Sequence, residues 1–473
     1  MERWSEASEA AFLAYVDSLI EVVGHADRAA PLKDYCLGLL MPGERKSVEP
    51  MAAVTAPARA SAQHQSLLHF VGQAGWSDEA LLRKVRDHVL PMIERQGPIS
   101  AWIIDDTGFP KKGRHSVGVA RQYCGQLGKQ DNCQVAVSLS VGNATGTVPI
   151  AWRLYLPESW AKDEDRRKTA KVPQDIVFKT KPQIALDQIK AAKEEGVTPG
   201  VILADAGYGA DGAFRAGVTA LHLQYVVGVQ PTLSVWRPGD GPIPPQPRQK
   251  GSRGFQGRLL RRDPDKPPIS AKALALELPS EAWREVCWRE GTNNALSSRF
   301  AALRLRPASR DWKRIEPHPE EWGLIEWPKG EPEPTKYWLS TLPAETAIET
   351  LVGTAKMRWR IERDYQDLKQ ELGLGHYEGR GWRGFHHHAS LCIAAYGFMV
   401  SLRETFPPSV APKTFAGKAI GLPPGYRPRG SPDPARTSRP RLDHKHSTTT
   451  DIHSWENAPA MPLLRPTDAG STT

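Results

Sequence analysis

The chain has 473 residues, 40% hydrophobic and 24% charged, the balance of an ordinary soluble protein with room for two or three domains. No apolar run approaches the roughly 18 residues of a membrane span, and Met1-Glu2-Arg3-Trp4-Ser5-Glu6 lacks the features of a signal peptide, so no membrane partner and a cytoplasmic location are expected. A net charge of +9 favours a polyanionic partner, while the five scattered cysteines (Cys36, Cys124, Cys133, Cys287, Cys392), with no C-x-x-C pair, argue against a disulfide framework and a structural zinc site.

Residues 1–98 read as a helical domain. Phe12, Val16, Leu19, Ile20 and Val23 recur at helix spacing after the candidate cap Ser8. Leu67, Leu68, Phe70 and Val71 form a second set, and Ala80, Leu81, Val85, Val89 and Leu90 a third, entered through Ser77-Asp78-Glu79. Between the first two lies Pro42-Gly43-Glu44-Arg45-Lys46-Ser47, a turn with adjacent cations. It suits a helical DNA-binding domain; a helical bundle with a solvated loop explains the same pattern.

From residue 99 the period changes. Ser100 to Ile104 is a short apolar strand ending on Asp105-Asp106-Thr107; Cys133 to Ser140 alternates at period two; Thr147 to Leu154 follows. Lys181 to Glu195 has helical spacing, closed by Gly196. Gly200 to Ala204 is a buried-strand run stopping at Asp205, and Tyr225 to Val229 is one more. The order β-β-β-α-β-α-β over 99–230 predicts an α/β core with carboxylates at the ends of its first and fourth strands, an arrangement that resembles ribonuclease-H-like nucleases and transposases; neighbouring strands one and four would bring Asp106 and Asp205 together. Next comes a basic Pro- and Gly-rich loop, with Arg248, Lys250, Arg253, Arg258, Arg261 and Arg262, and then a tryptophan-dense stretch; together 231–342 is read as an inserted β-rich subdomain. Residues 343–405 return to the core, and 406–473 is a polar tail expected to be disordered.

Three acidic positions stand out. Strand side chains alternate, so only one of Asp105 and Asp106 can face a common site. Asp205, in Ala204-Asp205-Ala206-Gly207-Tyr208-Gly209, also suits a simple capping turn. Residues 355–372 read as one helix on which Arg358, Glu362, Tyr365 and Lys369 share an outward face while Trp359, Ile361 and Leu368 fix the other side in the core. An Arg-Glu pair at this spacing is otherwise a small surface salt bridge.

The row Arg358, Glu362, Lys369 resembles the R-x3-E-x6-K signature of the DDE transposases of the insertion-sequence-four superfamily, although Ala355 stands where that signature carries tyrosine. The runs PGERKSVEPMA (42–52), DDTGFPKKG (105–113), ADAGYG (204–209), RWRIERDYQDLKQELGL (358–374) and GRGWRGFHHH (379–388) resemble, more narrowly, the seven-hundred-and-one branch of those bacterial insertion sequences. The resemblance implies a ribonuclease-H-like catalytic core with a β-rich insertion. It selects Asp106, directly before Thr107, over Asp105 and makes Asp106, Asp205 and Glu362 both catalytic and metal-binding.

Hard divalent cations need oxygen ligands, so two Mg²⁺ ions, with Mn²⁺ as substitute, are the implied cofactor. The implied activity is cut-and-paste transposition on double-stranded DNA, at terminal inverted repeats and a target, through hairpin ends and a synaptic homodimer. Lys111, Lys112 and Arg114 beside the first aspartate, with Arg358 and Lys369, are the expected DNA contacts. Trp283, Trp288, Trp312, Trp322 and Trp327 are candidates to stack on a flipped base, against a commoner role in packing. Consecutive His386, His387 and His388 point about 100° apart on a helix and cannot chelate one ion; packing or a phosphate contact is expected. A nuclease that cuts without joining, and a non-catalytic DNA-binding regulator, are the alternative readings.

Overall fold

The computed structural model describes residues 6–245, 259–290 and 295–405. Arg248, Lys250, Arg253 and Arg258 of the expected basic loop, and the tail from 406, lie outside the described residues. The chain opens with α1 (Glu6–Val23), α2 (Ala29–Leu40), α3 (Val48–Thr55), α4 (Ala60–Gly72) and α5 (Asp78–Gln96), the last capped by the Ser77 hydroxyl accepting from Ala80 N–H. Strands β1 (Ala101–Pro110), β2 (Ala120–Cys124), β3 (Lys129–Gly142) and β4 (Thr147–Leu154) follow. Then come α6 (Glu158–Ala161), α7 (Glu164–Thr169), α8 (Lys181–Glu194), β5 (Val201–Ala204), α9 (Ala206–Gly209), α10 (Gly212–Ala220) and β6 (Tyr225–Val229). The insertion supplies β7 (Ser234–Trp236), β8 (Ile269–Ser270), α11 (Ala271–Glu277), β9 (Arg284–Glu290), β10 (Ala295–Pro307), β11 (Glu321–Trp327) and β12 (Lys336–Ser340). The chain then returns through α12 (Ile348–Lys356), α13 (Trp359–Gln366), a π turn (Asp367–Glu371) and α14 (Trp382–Thr405).

This is a mixed α/β architecture around one large sheet, ordered β2-β3-β1-β5-β6-β12-β11-β10-β7-β8, with β4 on β3 and β9 on β10. The β1–β3 and β3–β4 pairings are antiparallel; β1–β5 and β5–β6 are parallel. The antiparallel β6–β12 pairing carries the insertion strands on as an extension of the core sheet. Helix α14, buried along nearly its whole length, is the apolar centre. It packs on α5, α2, α4 and β4. Phe398 meets Phe12 edge-on at 5.3 Å, and the Tyr15 hydroxyl donates to Ala394 O at 2.8 Å. The hydrophobic core therefore runs unbroken across residue 98.

Two expectations change. Strand β1 does not stop at Asp105: β3 pairs with it out to Pro110, with Asp105 opposite Ser138 and Asp106 opposite Val137. The aspartate pair thus lies mid-strand, beyond the shorter β5. Nor is 355–372 one helix. It breaks between Lys356 and Trp359 and ends in the π turn, and each irregularity resets the face a residue presents. Trp359 is consequently 37% exposed and Tyr365 is buried, its hydroxyl 2.7 Å from that of Ser138. This reverses their expected sides.

Gly209 and Gly228 let α9 lie flat on β6. A Cβ on Gly209 would fall 1.9 Å from Gly228 O, and one on Gly228 would fall 2.9 Å from Ala206 N. Gly209→Ala should cost about 1–3 kcal/mol through forced backbone separation, read as a lowered midpoint in urea unfolding. An unchanged midpoint would mean this contact is looser than it stands.

Candidate active site

The parallel pairing of Ile103 with Leu203 sets the β1 aspartates beside Asp205, which follows β5. Asp205 Oδ1 accepts from Gly207 N–H (2.8 Å) and Tyr208 N–H (3.3 Å), so the residue also caps α9. On the other side of the centre Arg358, just before α13, donates to Asp105 Oδ2 at 3.0 Å and to Glu362 Oε1 at 3.3 Å. Asp106 looks elsewhere. Both its oxygens accept from Lys181 Nζ at 3.0 Å, and Oδ1 accepts from the Tyr208 hydroxyl at 3.1 Å. Adjacent strand residues face opposite sides, so Asp105 turns to α13 while Asp106 turns to α8 and α9.

Burial opposes the charge on Arg358, but Asp105, Asp205 and Glu362 together hold its pKa above the ordinary guanidinium value. Burial pushes Asp105 up to about 7; Arg358 draws it down, and Asp205 and Asp106 add to the rise. The two shifts pull differently on one ion pair. Arg358 stays charged, as Arg does in proteins, and draws Asp105 toward its carboxylate form. Tyr208 is raised well above its usual value by burial and then by Asp106, Asp105 and Asp205, and so stays a hydrogen-bond donor. Lys369 Nζ donates to Gly108 O at 2.9 Å over the Phe109 ring, and burial lowers its pKa to about 8.

Among the described residues no three His, Cys, Asp or Glu side chains are grouped so as to hold a metal ion. Instead, Lys181 and Arg358 neutralise the carboxylates. In chemistry the donors fit a hard divalent cation: all are carboxylate oxygens, and the positive charge they draw is what such a cation would supply.

The flanking cations divide. Lys111 Nζ is engaged by Tyr377 O at 2.9 Å, whereas Lys112 and Arg114 are exposed. In the turn at 42–47, Lys46 is buried and donates to Leu39 O and Met41 O, and Arg45 pairs with Glu378. Lys46 therefore closes the end of α2 and is not available to a duplex.

The three histidines are core residues. His386 accepts from Leu154 N–H, His387 stacks on Trp76 at 3.6 Å, and His388 bonds Tyr35 and Gly373 O. Burial lowers His387 and His388 to about 4, so both are neutral and packing is their role. Trp283 meets Trp327 edge-on, Trp322 Nε1 donates to Pro343 O, and Trp288 lies 4.2 Å under Lys356 Nζ; the Trp312 side chain lies outside the described residues. Lys181 and Tyr208 were not read from sequence as site residues. The signals were there: Lys181 opens a helix capped by Thr180, and Tyr208 sits in the ADAGYG run.

A family model described as DDE superfamily endonuclease matches residues 18–295, which include both β1 aspartates and Asp205 and stop short of Glu362. The chain is 34% identical over 167 residues to the probable transposase for insertion sequence element IS701 of Microchaete diplosiphon. That match covers 35% of this chain and 40% of the relative.

Arg358→Ala leaves buried Asp105 without its cation. We expect a loss of about 1–3 kcal/mol, below the range for fully buried pairs because the guanidinium is partly exposed. Adding Asp105→Asn should return much of it. A double-mutant cycle by chemical unfolding checks this, and strictly additive losses would mean the pair contributes no coupling.

Proposed function

The chain belongs to the DDE superfamily endonuclease family, and from that premise we propose that it is an insertion-sequence transposase that cuts and joins DNA at Asp106, Asp205 and Glu362. The observation that carries the reading is the meeting of three chain segments, each bringing carboxylates, around Arg358 and Lys181. The strand order β4-β3-β1-β5-β6, antiparallel then parallel, supports a ribonuclease-H-like core. Similarity to the probable insertion-sequence transposase supports transposition, and the mode we propose is cut-and-paste movement through hairpin ends. On this reading the terminal inverted repeats and a target are the DNA substrates, and the active form is a synaptic homodimer.

Asp106, Asp205 and Glu362 would hold two Mg²⁺ ions, or Mn²⁺, which requires the Asp106 carboxylate to leave Lys181 and turn toward α13, the side that Asp105 faces in this structure. The chemistry supplied there would be activation of a water or 3′-hydroxyl and neutralisation of charge on the reacting phosphate. The protein's own groups do the positioning. Tyr208 and Lys181 fix the Asp106 carboxylate, and backbone N–H groups fix Asp205. Arg358 can grip a phosphate through two parallel hydrogen bonds, and Lys369 adds a point charge at the β1 edge. Asp105, locked to Arg358, holds that guanidinium in place. Two cations already beside the carboxylates also limit their mutual repulsion before substrate arrives.

Asp106→Asn, Asp205→Asn and Glu362→Gln should each abolish cleavage of a terminal-repeat substrate while leaving its binding nearly intact. Asp105→Asn should keep measurable cleavage. Cleavage that survives in Asp106→Asn and disappears in Asp105→Asn would move the first ligand to Asp105. Excised ends that never join a target would support a nuclease, and binding without cleavage a regulator.

Lys369, lowered to about 8, is charged below that pH and neutral above it. Single-turnover cleavage should therefore fall as pH rises through about 8. Lys369→Arg, which stays charged, should hold activity to higher pH. A superimposable pH profile for the two proteins would remove Lys369 from phosphate binding.

A further inference from the structure

The GRGWRG run and the loop between β4 and α8 have no part in the site described above, yet they lie together. Arg166 donates to Arg114 O at 3.1 Å, Val117 N–H to Arg380 O at 2.9 Å, and Trp382 N–H to Ala170 O at 2.9 Å. Lys171 Nζ and Arg383 both reach Gln73, at the end of α4. These bonds stitch 112–117, 166–171 and 380–383 into one surface. Lys112, Arg114, Lys168, Lys171, Arg380 and Arg383 are all exposed on it, and none of the six makes an ion pair among the described residues. Some exposed cations elsewhere are matched, as in Arg83–Glu195, Lys129–Asp131 and Lys190–Glu194. Exposed acids on the same segments are Glu164 and Asp165 in α7, Asp175, and Glu378, which Arg45 engages; Asp78 and Glu79 at the start of α5 act on the histidines that follow Arg383. Lys171 also takes φ 54°, a left-handed backbone that non-glycine residues rarely adopt.

We infer that this surface binds the sugar-phosphate backbone of duplex DNA beside the reaction centre, a deepening that rests on the transposase reading. Strand β1 carries the chain about 13 Å from Asp106 to Pro110 at about 3.3 Å per residue. Lys112 follows two residues later, so the surface begins roughly 15–20 Å from the aspartates. At 3.4 Å per nucleotide along each strand, that is about four to six base pairs, near half a helical turn from the bond being broken. The duplex is held there by charge alone, without base readout, since the cations sit on loops, on the short α7 (Lys168) and in the first turn of the buried α14 (Arg383), and among the described residues none of these elements presents an exposed helix long enough to enter a groove. This grip would fix the direction in which DNA leaves the centre.

The test measures binding of the full-length protein to a random-sequence 40-base-pair duplex, without divalent metal, over a salt series. Lys168→Gln/Arg380→Gln removes two charges whose side chains make no hydrogen bond or ion pair among the described residues, so folding should be unaffected. A second variant adds Lys171→Gln and Arg383→Gln, with melting temperature recorded alongside. Each lost phosphate contact should flatten the log–log salt slope by about 0.9, hence by about two units and nearly four. A double variant with the wild-type slope overturns the surface while leaving the DNA reading standing. A wild-type protein that binds the duplex without salt dependence overturns the DNA reading itself.

Discussion

Carboxylates held close together in a partly buried place repel one another, and the structure depends on the cations that make their approach tolerable. Arg358 is the principal one. It donates to Asp105 and Glu362, and the charge of Asp205 acts on it as well. Its partner Asp105 is 253 residues away in sequence, so the pair forms only after the sheet and α13 have come together. Lys181 plays the same part for Asp106 from the first turn of α8. The centre is thus assembled from β1, the turn after β5, α8 and α13, and each brings charge that would be unfavourable there alone.

The insertion is tied into this arrangement. Because β12 pairs with β6, the tryptophan-rich strands extend the sheet that carries Asp205's neighbour strand. Lys356, two residues before Arg358, donates both its short bonds to Glu326 on β11 and lies over the Trp288 ring, with Phe300 and Trp338 close by. Such a cation among aromatic rings is a stiff joint. It fixes the break between α12 and α13, and with it the direction in which Arg358 and Glu362 project. Several tryptophans that could have stacked on a base are thereby accounted for within the protein.

Much of this was legible in the sequence. The apolar runs ending at aspartates gave β1 and β5, and period-two alternation gave β3; helical spacing from Lys181 and the Gly196 stop framed α8. What could not be read came from tertiary pairing. The full length of β1 depends on β3 running alongside it to Pro110, which no local pattern states. A helical wheel over 355–372 misassigned Trp359 and Tyr365, because the break and the π turn reset its phase. Lys46 looked like a surface cation and is buried, since only the fold shows the carbonyls at the end of α2 that it satisfies. Lys181 became a site residue only when α8 was placed against β1 and β3.

The central claim is that segments around Asp106, Asp205 and Glu362 share one divalent-ion site. Localised hydroxyl-radical cleavage tests it without relying on turnover. Fe²⁺ is loaded in place of Mg²⁺, ascorbate and peroxide are added, and the cut positions in the protein are mapped by mass spectrometry. The account predicts three clusters of cuts, near 105–106, 205–208 and 358–362, all suppressed by excess Mg²⁺. Cuts confined to one segment, or clustered away from all three, would contradict it.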